Sequence, residues 1–147
     1  MCLIGVKVGS PGYLKKHGTP KSPEELTGHN CLSYGYWSLQ NDWHFKRRGV
    51  ERTVRISGNL RGNNGDILVN AAIEGLGVIL HPTFLVYDAL RRKKMVRILS
   101  DWEADDLTVF AVYPNRKFLP PKVRSFIDFL AERFGPEPYW DFDSKQK

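Results

Sequence analysis

Residues 52–82 constrain the fold of this chain most, because their pattern passes from strand to helix and back to strand. Val54 and Ile56 alternate with polar residues, which predicts the first strand. Residues 78–80 form a short apolar run, which predicts a second strand that is buried on both faces. The order predicts a βαβ unit whose right-handed crossover lays a helix over a sheet.

The helix of this unit is predicted over residues 66–74, after a turn-rich patch at 58–65, and Gly75 is expected to end it. Its start then lies at the carboxyl end of the first strand, where open α/β sheets bind ligands. We expect backbone N–H groups and two amide side chains to be free for a polar ligand there. The residues at this start are Asn63, Asn64, Gly65 and Asp66, and the predicted apolar face is Ile67, Leu68, Ala71 and Ala72.

Shorter patterns extend the alternation of strands and helices on both sides. Residues 2–8 predict a strand, and Ser10 followed by Pro11 predicts a capped helix. The aromatic residues after position 42 predict a β-hairpin that returns through Val54. Residues 83–93 predict a helix, with these side chains facing inward: Phe84, Leu85, Ala89 and Leu90.

The C-terminal third contains one apolar strand pattern and the most regular helix pattern of the chain. Residues 107–113 predict the strand, which is expected to have no sheet of its own to join. The helix is predicted from Pro121 to its stop at Gly135, and residues 137–147 are expected to form a loose tail. An apolar face of this size must be covered, so we expect association or poor solubility. That face comprises Val123, Phe126, Ile127, Leu130, Ala131 and Phe134.

The composition fits an ordinary globular chain. It has 147 residues, with 41% hydrophobic and 26% charged residues. The net charge of +6 permits contact with nucleic acid or anions without requiring it. The sequence shows no signal-peptide pattern and no apolar run near the ~20 residues of a membrane span. We therefore expect a cytoplasmic protein without membrane contact, whose two cysteines are reduced.

No pattern for catalysis or metal binding is complete. The nearest approach to a hydrolase elbow, around Ser10, lacks the first glycine, so Ser10 is read as a helix cap. The four histidines are not at metal-ligand spacing, and the glycines at 75 and 77 precede a strand, the wrong order for a dinucleotide site. We predict no enzyme activity, no metal and no cofactor.

Two further groups of residues are candidates for contact with a ligand. Tyr34, Gly35, Tyr36 and Trp37 could line a pocket with aromatic faces and hydroxyls, or they could pack beneath the hairpin. His81 follows the buried strand at the same edge as Asn63 and Asn64. It could contact a ligand there or simply occupy a loop.

Many dispersed positions agree, in order, with one family of proteins. The chain resembles the effector-binding half of LysR-type transcriptional regulators from about Cys2 to Asp141. The segments that carry the resemblance are Ser10-Pro11-Gly12-Tyr13-Leu14, His17-Gly18-Thr19-Pro20, Gly28-His29-Asn30-Cys31-Leu32, Trp43-His44-Phe45, Asn63-Asn64-Gly65-Asp66, Gly75-Leu76-Gly77-Val78, Val112-Tyr113-Pro114 and residues 122–130. His81 departs from the family, in which an apolar residue usually precedes the proline.

The resemblance implies an α/β fold: a lobe like that of type-2 periplasmic binding proteins, a mixed sheet flanked by helices, plus a C-terminal strand and helix. Residues 1–101 would form lobe II with a crossover strand at its start, residues 102–136 the returning strand and helix of lobe I, and residues 137–147 a tail. The family's helix-turn-helix, linker helix and most of lobe I are expected to be missing, so DNA contact would require a helix-turn-helix that this chain lacks.

The function implied is the effector-binding portion of a LysR-type regulator that senses a small polar or anionic molecule to control transcription. Its partners would be that effector and other copies, associated through the C-terminal strand and helix. The alternatives are a standalone solute-binding protein, a truncated fragment without function and, least of all, an enzyme. The expected ligand face is Ser10, Tyr34, Gly35, Tyr36, Trp37, Asn63, Asn64, Gly65, Asp66 and His81.

Overall fold

A five-stranded mixed sheet forms the centre of the structure, a computed structural model that describes residues 2–35, 41–105, 107–108, 110, 112, 120–135 and 140–141. One strand runs parallel to both of its neighbours, and the next strands along the sheet pair antiparallel. In order across the sheet the strands are β6 (Arg61–Gly62), β3 (Cys31–Tyr34), β7 (Val78–Pro82), β2 (Gly5–Gly9) and β8 (Val96–Arg97).

Strand β7 is buried on both faces, as predicted. Val78 and Ile79 are both 0% exposed, and they belong to two different hydrophobic clusters. Because successive side chains of a strand point to opposite faces, the central sheet separates these clusters. The mixed sheet with apolar packing on both sides confirms the predicted α/β class.

Helices cover the sheet on both sides. Side chains of α2 (Gly65–Ile73) and α3 (Thr83–Arg91) pack with Ile79 on one face. On the other face, α1 (Pro11–His17) and a 3₁₀ helix (Pro23–Gly28) pack with Val78. The Ser10 hydroxyl caps α1 by accepting the Tyr13 N–H at 3.3 Å, as the sequence predicts.

A second, three-stranded antiparallel sheet closes the α1 side of the core. Its order is β5 (Val50–Arg55), β4 (Asp42–Arg47) and β9 (Glu103–Ala104). The hairpin turns at Arg48 and Gly49, whose φ angles of 47° and 79° are those of a type I′ turn. Trp43, Phe45 and Val54 point into the core, so the predicted hairpin is confirmed.

The prediction of which strand comes first in the βαβ unit is wrong. The strand around Val54 pairs with β4 in the second sheet, where its apolar side chains join the core against α1. The strand that leads into α2 is β6, inside the patch predicted as turn. It pairs with β3, so the crossover from β6 through α2 to β7 spans β3. Two residues, Arg61 and Gly62, are too few to show a strand period.

The predicted inner faces of α2 and α3 are partly wrong. Ile67 is 57% exposed, whereas Val69 is buried beside Leu68 and Ala72. Helix α2 packs on both β7 and α3, so its buried face includes Val69 and not the predicted Ile67. Phe84 is 44% exposed for a similar reason, because the inward positions of α3 are Thr83, Val86 and Ala89. Gly75, with φ of +83°, ends α2 as predicted.

The C-terminal strand does find a partner. Strand β10 (Leu107–Thr108) pairs antiparallel with β1 (Cys2–Leu3), because two-residue strands at both ends of the main body lie side by side. The expectation that it would have no sheet to join is therefore wrong. Of the predicted strand 107–113, most of the remainder lies outside the described residues.

Helix α4 (Pro121–Phe134) is only partly covered by the described part of the chain. None of its side chains is buried in the described part of the chain, and Phe126 and Phe129 are 60% and 57% exposed. Every helix within the described ranges is too short or too polar to serve as a transmembrane segment.

The tail is anchored at one point, contrary to the expectation of a loose segment. The Trp140 ring lies 6.2 Å from that of Phe84 and 5.8 Å from that of Phe134, measured between centroids. The Asp141 carboxylate accepts a hydrogen bond from the Thr83 hydroxyl. Because α3 has no side-chain cap of its own, this carboxylate places a negative charge at its start, where the helix dipole favours it.

The strands β3 and β7 begin at a close crossing of main chains around Asn30. The Asn30 side-chain amide donates to the Asn59 side chain at 2.8 Å and to the Leu76 carbonyl at 2.6 Å. Its main-chain carbonyl accepts the Val78 N–H at 2.9 Å. A Cβ on Gly77 would lie 2.1 Å from that carbonyl oxygen, so only glycine fits this position.

A lysine is buried between the two sheets. Lys7 is 4% exposed, and its ammonium donates to the Trp102 carbonyl and lies 5.9 Å from the centre of the Phe45 ring. Burial lowers the pKa of Lys7 to about 8, with Arg97 adding to the shift and Glu103 opposing it. The charged form of Lys7 therefore costs stability in the folded chain.

Gly77→Ala should destabilise the fold, because the methyl group must displace main-chain atoms at the Asn30 crossing. We expect a loss of at least about 2 kcal/mol in the free energy of unfolding, measured by urea denaturation. Gly12→Ala is the matched control, because its Cβ meets nothing within 4 Å and the position is helical. Equal stabilities of the two variants would contradict the close crossing.

The stability of the chain should rise as the pH increases above about 8, the pKa of folded Lys7. Between that value and the ordinary lysine pKa the unfolded chain binds more protons than the folded one, so raising the pH favours folding by up to about 3 kcal/mol. Urea denaturation at intervals from pH 7.5 to 9.5 measures the slope. Lys7→Met should flatten it, and parallel slopes for the two chains would contradict the effect of burial.

Candidate functional site

A cleft of about 130 Å³ opens at the carboxyl ends of the parallel strands β3 and β7. Ligands bind at such strand ends in open α/β sheets. The cleft also touches both connections to the β1–β10 pair. The lining residues are Gly5, Leu32, Ser33, Tyr34, Asp42, Trp43, His44, Leu80, His81, Pro82 and Asp105.

Apolar walls and a few polar groups line this cleft, as is usual for sites that hold small molecules. Leu32, Leu80 and Trp43 provide the apolar walls. The carboxylates of Asp42 and Asp105 are the charged groups among the described lining residues, which include no lysine and no arginine.

His81 lies in the floor of the cleft and is 3% exposed. Its Nδ1 lies 2.8 Å from the Leu80 carbonyl oxygen, which assigns the proton to Nδ1. Burial lowers the pKa of His81, and the main-chain groups of Leu80 and Gly65 together with the Asp66 charge oppose this shift. The ring is therefore neutral near pH 7. Its Nε2 is buried on the side of Gly65 and has no hydrogen-bond partner among the described residues.

Tyr34 forms the wall next to this histidine. The two rings meet edge to face, with centroids 6.0 Å apart. Tyr34 is half-buried at the end of β3, so one part of its ring packs and another remains open to the cleft. The sequence placed Tyr34 and His81 on one ligand face, and the structure brings these two together.

Two of the N–H groups that were expected to be free at the start of α2 are already bonded. The Asn64 side-chain oxygen accepts the N–H groups of Asp66 at 2.9 Å and Ile67 at 3.2 Å, so it caps its own helix. Asn63, Asn64 and Asp66 are exposed outside the cleft. Gly65 packs behind it: a Cβ there would lie 2.8 Å from a Leu85 methyl carbon and 3.7 Å from the Nε2 of His81.

Ser10 lies in a different place from the cleft. It lines a groove of about 560 Å³ between α1, the end of α2 and the turn after α3. Lys16, Lys93 and Lys94 also line this groove, near the C-terminal ends of α1 and α3. Cations at such ends offset the helix dipole, so these lysines have a structural explanation. The structure does not bring Ser10 together with Tyr34 and His81.

The remaining predicted residues fall beside the cleft or outside the described chain. The Gly35 N–H donates to the Gly62 carbonyl at 2.6 Å, which continues the pairing of β3 with β6. Tyr36 and Trp37 lie outside the described residues. Asp42, His44 and Asp105 line the cleft but were not predicted, because only the packing of the second sheet onto β3 brings them to the strand ends.

The described residues offer little redox or metal chemistry. Cys31 is 1% exposed, its thiol lies 3.5 Å from the Leu26 carbonyl oxygen, and burial raises its pKa to about 12. A thiol in such surroundings is a poor nucleophile. No group of three histidine, cysteine or acidic side chains within the described ranges could hold a metal ion.

Comparison with known proteins identifies the family. A family profile described as "LysR substrate binding domain" matches residues 6–135. The chain is 32% identical over 134 residues to the HTH-type transcriptional regulator PtxR of Pseudomonas aeruginosa, covering 91% of this chain and 43% of that protein. It is 35% identical over 130 residues to CrgA of Neisseria meningitidis serogroup B, covering 87% and 43%. The chain therefore spans less than half the length of these relatives.

Solved structures show the same likeness. The full-length Vibrio cholerae virulence activator AphB superposes with a TM-score of 0.79 at 28% identity, covering 90% of this chain and 45% of AphB. The regulatory domain of CrgA from Neisseria meningitidis gives a TM-score of 0.70 at 29% identity, covering 92% and 67%. Fold, sequence and family profile agree over most of the chain, which therefore belongs to the family of LysR substrate-binding domains.

Proposed function

We propose that this chain is the effector-binding part of a LysR-type transcriptional regulator, and that a small polar molecule binds in the cleft between β3 and β7. The observation that carries the proposal is the cleft itself. It lies at the carboxyl ends of parallel strands, and it places the half-buried Tyr34 next to a buried, neutral His81. The relatives that share the fold are named as transcriptional regulators.

The position of the cleft suggests how binding would change the protein. Gly5 follows β1 and Asp105 precedes β10, so both connections from the main body to the β1–β10 pair border the cleft. These connections pack closely, since a Cβ on Gly5 would lie 3.2 Å from the Asp105 carbonyl oxygen. A ligand that contacts both connections would favour one orientation of the β1–β10 pair over others.

Transcriptional control by this route requires a DNA reader. We assign DNA contact to a helix-turn-helix outside this chain, as the names of the relatives suggest. We also assign the protein to the cytoplasm, where bacterial DNA lies. Enzyme activity has no support from the comparisons, in which the relatives are named as transcriptional regulators.

The exposed face of α4 is proposed as a surface for association. Phe126 and Phe129 on this helix are 60% and 57% exposed, and Phe110 and Val112, earlier in the C-terminal part, are 75% and 93% exposed. Large exposed apolar surfaces usually mark contacts with another protein surface. Association of copies through this face would cover these side chains.

Substitutions should show whether a ligand binds in the cleft or at the start of α2. We expect Tyr34→Leu to weaken, by at least about tenfold, the binding of any small molecule that raises the melting temperature in a screen of amines, acids and polyols. Asn64→Ala should leave that affinity unchanged but cost about 1 kcal/mol of stability, because it removes the cap of α2. Calorimetry measures the affinity and urea denaturation the stability. The opposite pattern would move the ligand site to α2.

Sedimentation velocity should show that the chain associates as its concentration rises. Phe126→Asp should shift the equilibrium toward the monomer, because it places a charge in the apolar face of α4. Ser125→Asp adds the same charge at the exposed neighbouring position and should have little effect. A parent chain that stays monomeric at the highest concentration tested would argue against association through α4.

A further inference from the structure

We propose that the cleft selects a small organic cation: an ammonium group on a short, uncharged body. This proposal rests on the proposed function, because it assigns a ligand class to the same cleft. The sequence raised the expectation of a small polar or anionic molecule, and the charges that line the cleft favour a cation instead.

The charged residues in the described lining of the cleft are acidic. Asp42 and Asp105 contribute carboxylates, and no described lining residue is a lysine or an arginine. The described lining of the cleft is therefore acidic in a chain whose net charge is +6. Carboxylates attract an ammonium group and repel a carboxylate ligand.

The protein neutralises the carboxylates of the cleft only weakly. The Asp42 carboxylate lies 3.9 Å from the Arg55 guanidinium, and the side chain of Arg55 is 81% exposed. Solvent screens such a pair strongly. Asp105 has no ion-pair partner among the described residues. Both carboxylates can therefore accept hydrogen bonds from a ligand.

Neither nearby base supplies a positive charge to the lining. His81 is neutral near pH 7 because burial lowers its pKa, and its Nδ1 already lies 2.8 Å from the Leu80 carbonyl oxygen. The Lys7 ammonium is not part of the lining, and it is already bonded to the Trp102 carbonyl. An anionic ligand would therefore find carboxylates and no described cationic side chain in the lining.

The walls and the size of the cleft define the rest of the ligand. The aromatic rings of Tyr34 and Trp43 border the cleft, and aromatic faces attract organic cations. A volume of about 130 Å³ is slightly smaller than an engineered cavity of about 150 Å³ in another protein that binds benzene. This space suits a short aliphatic amine better than a large ring system. The described residues lack a metal-binding cluster, which favours an organic cation over a metal ion.

Three probes of nearly equal shape test the proposal on the full chain: n-butylammonium, 1-butanol and butyrate. They are titrated at pH 7 and constant ionic strength while ¹H–¹⁵N NMR spectra follow the Trp43 indole and the amides of the cleft. We expect n-butylammonium to shift these signals, with an affinity at least about tenfold higher than that of 1-butanol. Butyrate should bind more weakly than either.

Substitutions then assign the charge preference to named residues. Asp42→Asn and Asp105→Asn should each weaken binding of n-butylammonium by about tenfold, while the affinity for 1-butanol changes little. Asp88→Asn removes an exposed carboxylate on α3, outside the cleft, and is the matched control. Equal affinities for the ammonium probe in all three variants would overturn the role of the cleft carboxylates.

The outcomes distinguish a wrong ligand class from a wrong binding site. If butyrate shifts the cleft signals more tightly than n-butylammonium, the cation preference is overturned but the cleft remains a binding site. If these probes and the wider panel of amines, acids and polyols all leave the cleft signals unmoved, the proposed function fails as well. Tight ammonium binding that is lost in the two cleft variants supports both.

Discussion

The close crossing of main chains at Asn30 fixes the geometry on which the rest of the structure depends. Gly58 and Gly77 allow carbonyl groups to approach to distances that no side chain would permit, and the Asn30 amide bonds the crossing segments together. This contact sets the register of β3 against β7 at their first residues. Because both strands are short and regular, it also sets the distance between Tyr34 and His81 at their far ends.

Positive and negative side chains occupy different environments around strands β3 and β7. The ammonium of Lys7 is held between the sheets against its preference for water, whereas the carboxylates of Asp42 and Asp105 remain at the mouth of the cleft. A cation has thus been placed in the core and two anions at the site. The charged group that affects the stability of the fold is therefore different from the charged groups that border the cleft.

The parts of the fold that the sequence predicted are those with a clear local pattern. Strand β7, the hairpin through Trp43, the cap at Ser10 and the stop at Gly75 all follow from spacing or residue type. Strand β6 could not be predicted, because two residues carry no period and its identity depends on pairing with β3. The rotation of α2 that exposes Ile67 likewise depends on which neighbours it meets.

The candidate site was predictable only in part, for the same reason. Tyr34 and His81 end strands whose patterns are visible, so their meeting at one edge follows from the topology. Asp42 and Asp105 reach the cleft through the packing of a second sheet, which no local pattern encodes. Asn64 shows a further limit, because an asparagine before a helix can serve a ligand or its own helix, and here its oxygen is already used.

The pairing of β1 with β10 has a consequence for the order in which the chain can assemble. During synthesis the last strand of the central sheet, β8, is complete at Arg97, before Thr108 exists to pair with Cys2. The main body can therefore close its core while β1 still has no partner. Closing the long loop between β1 and β10 then carries little further entropic cost, because a folded body already holds most of that loop.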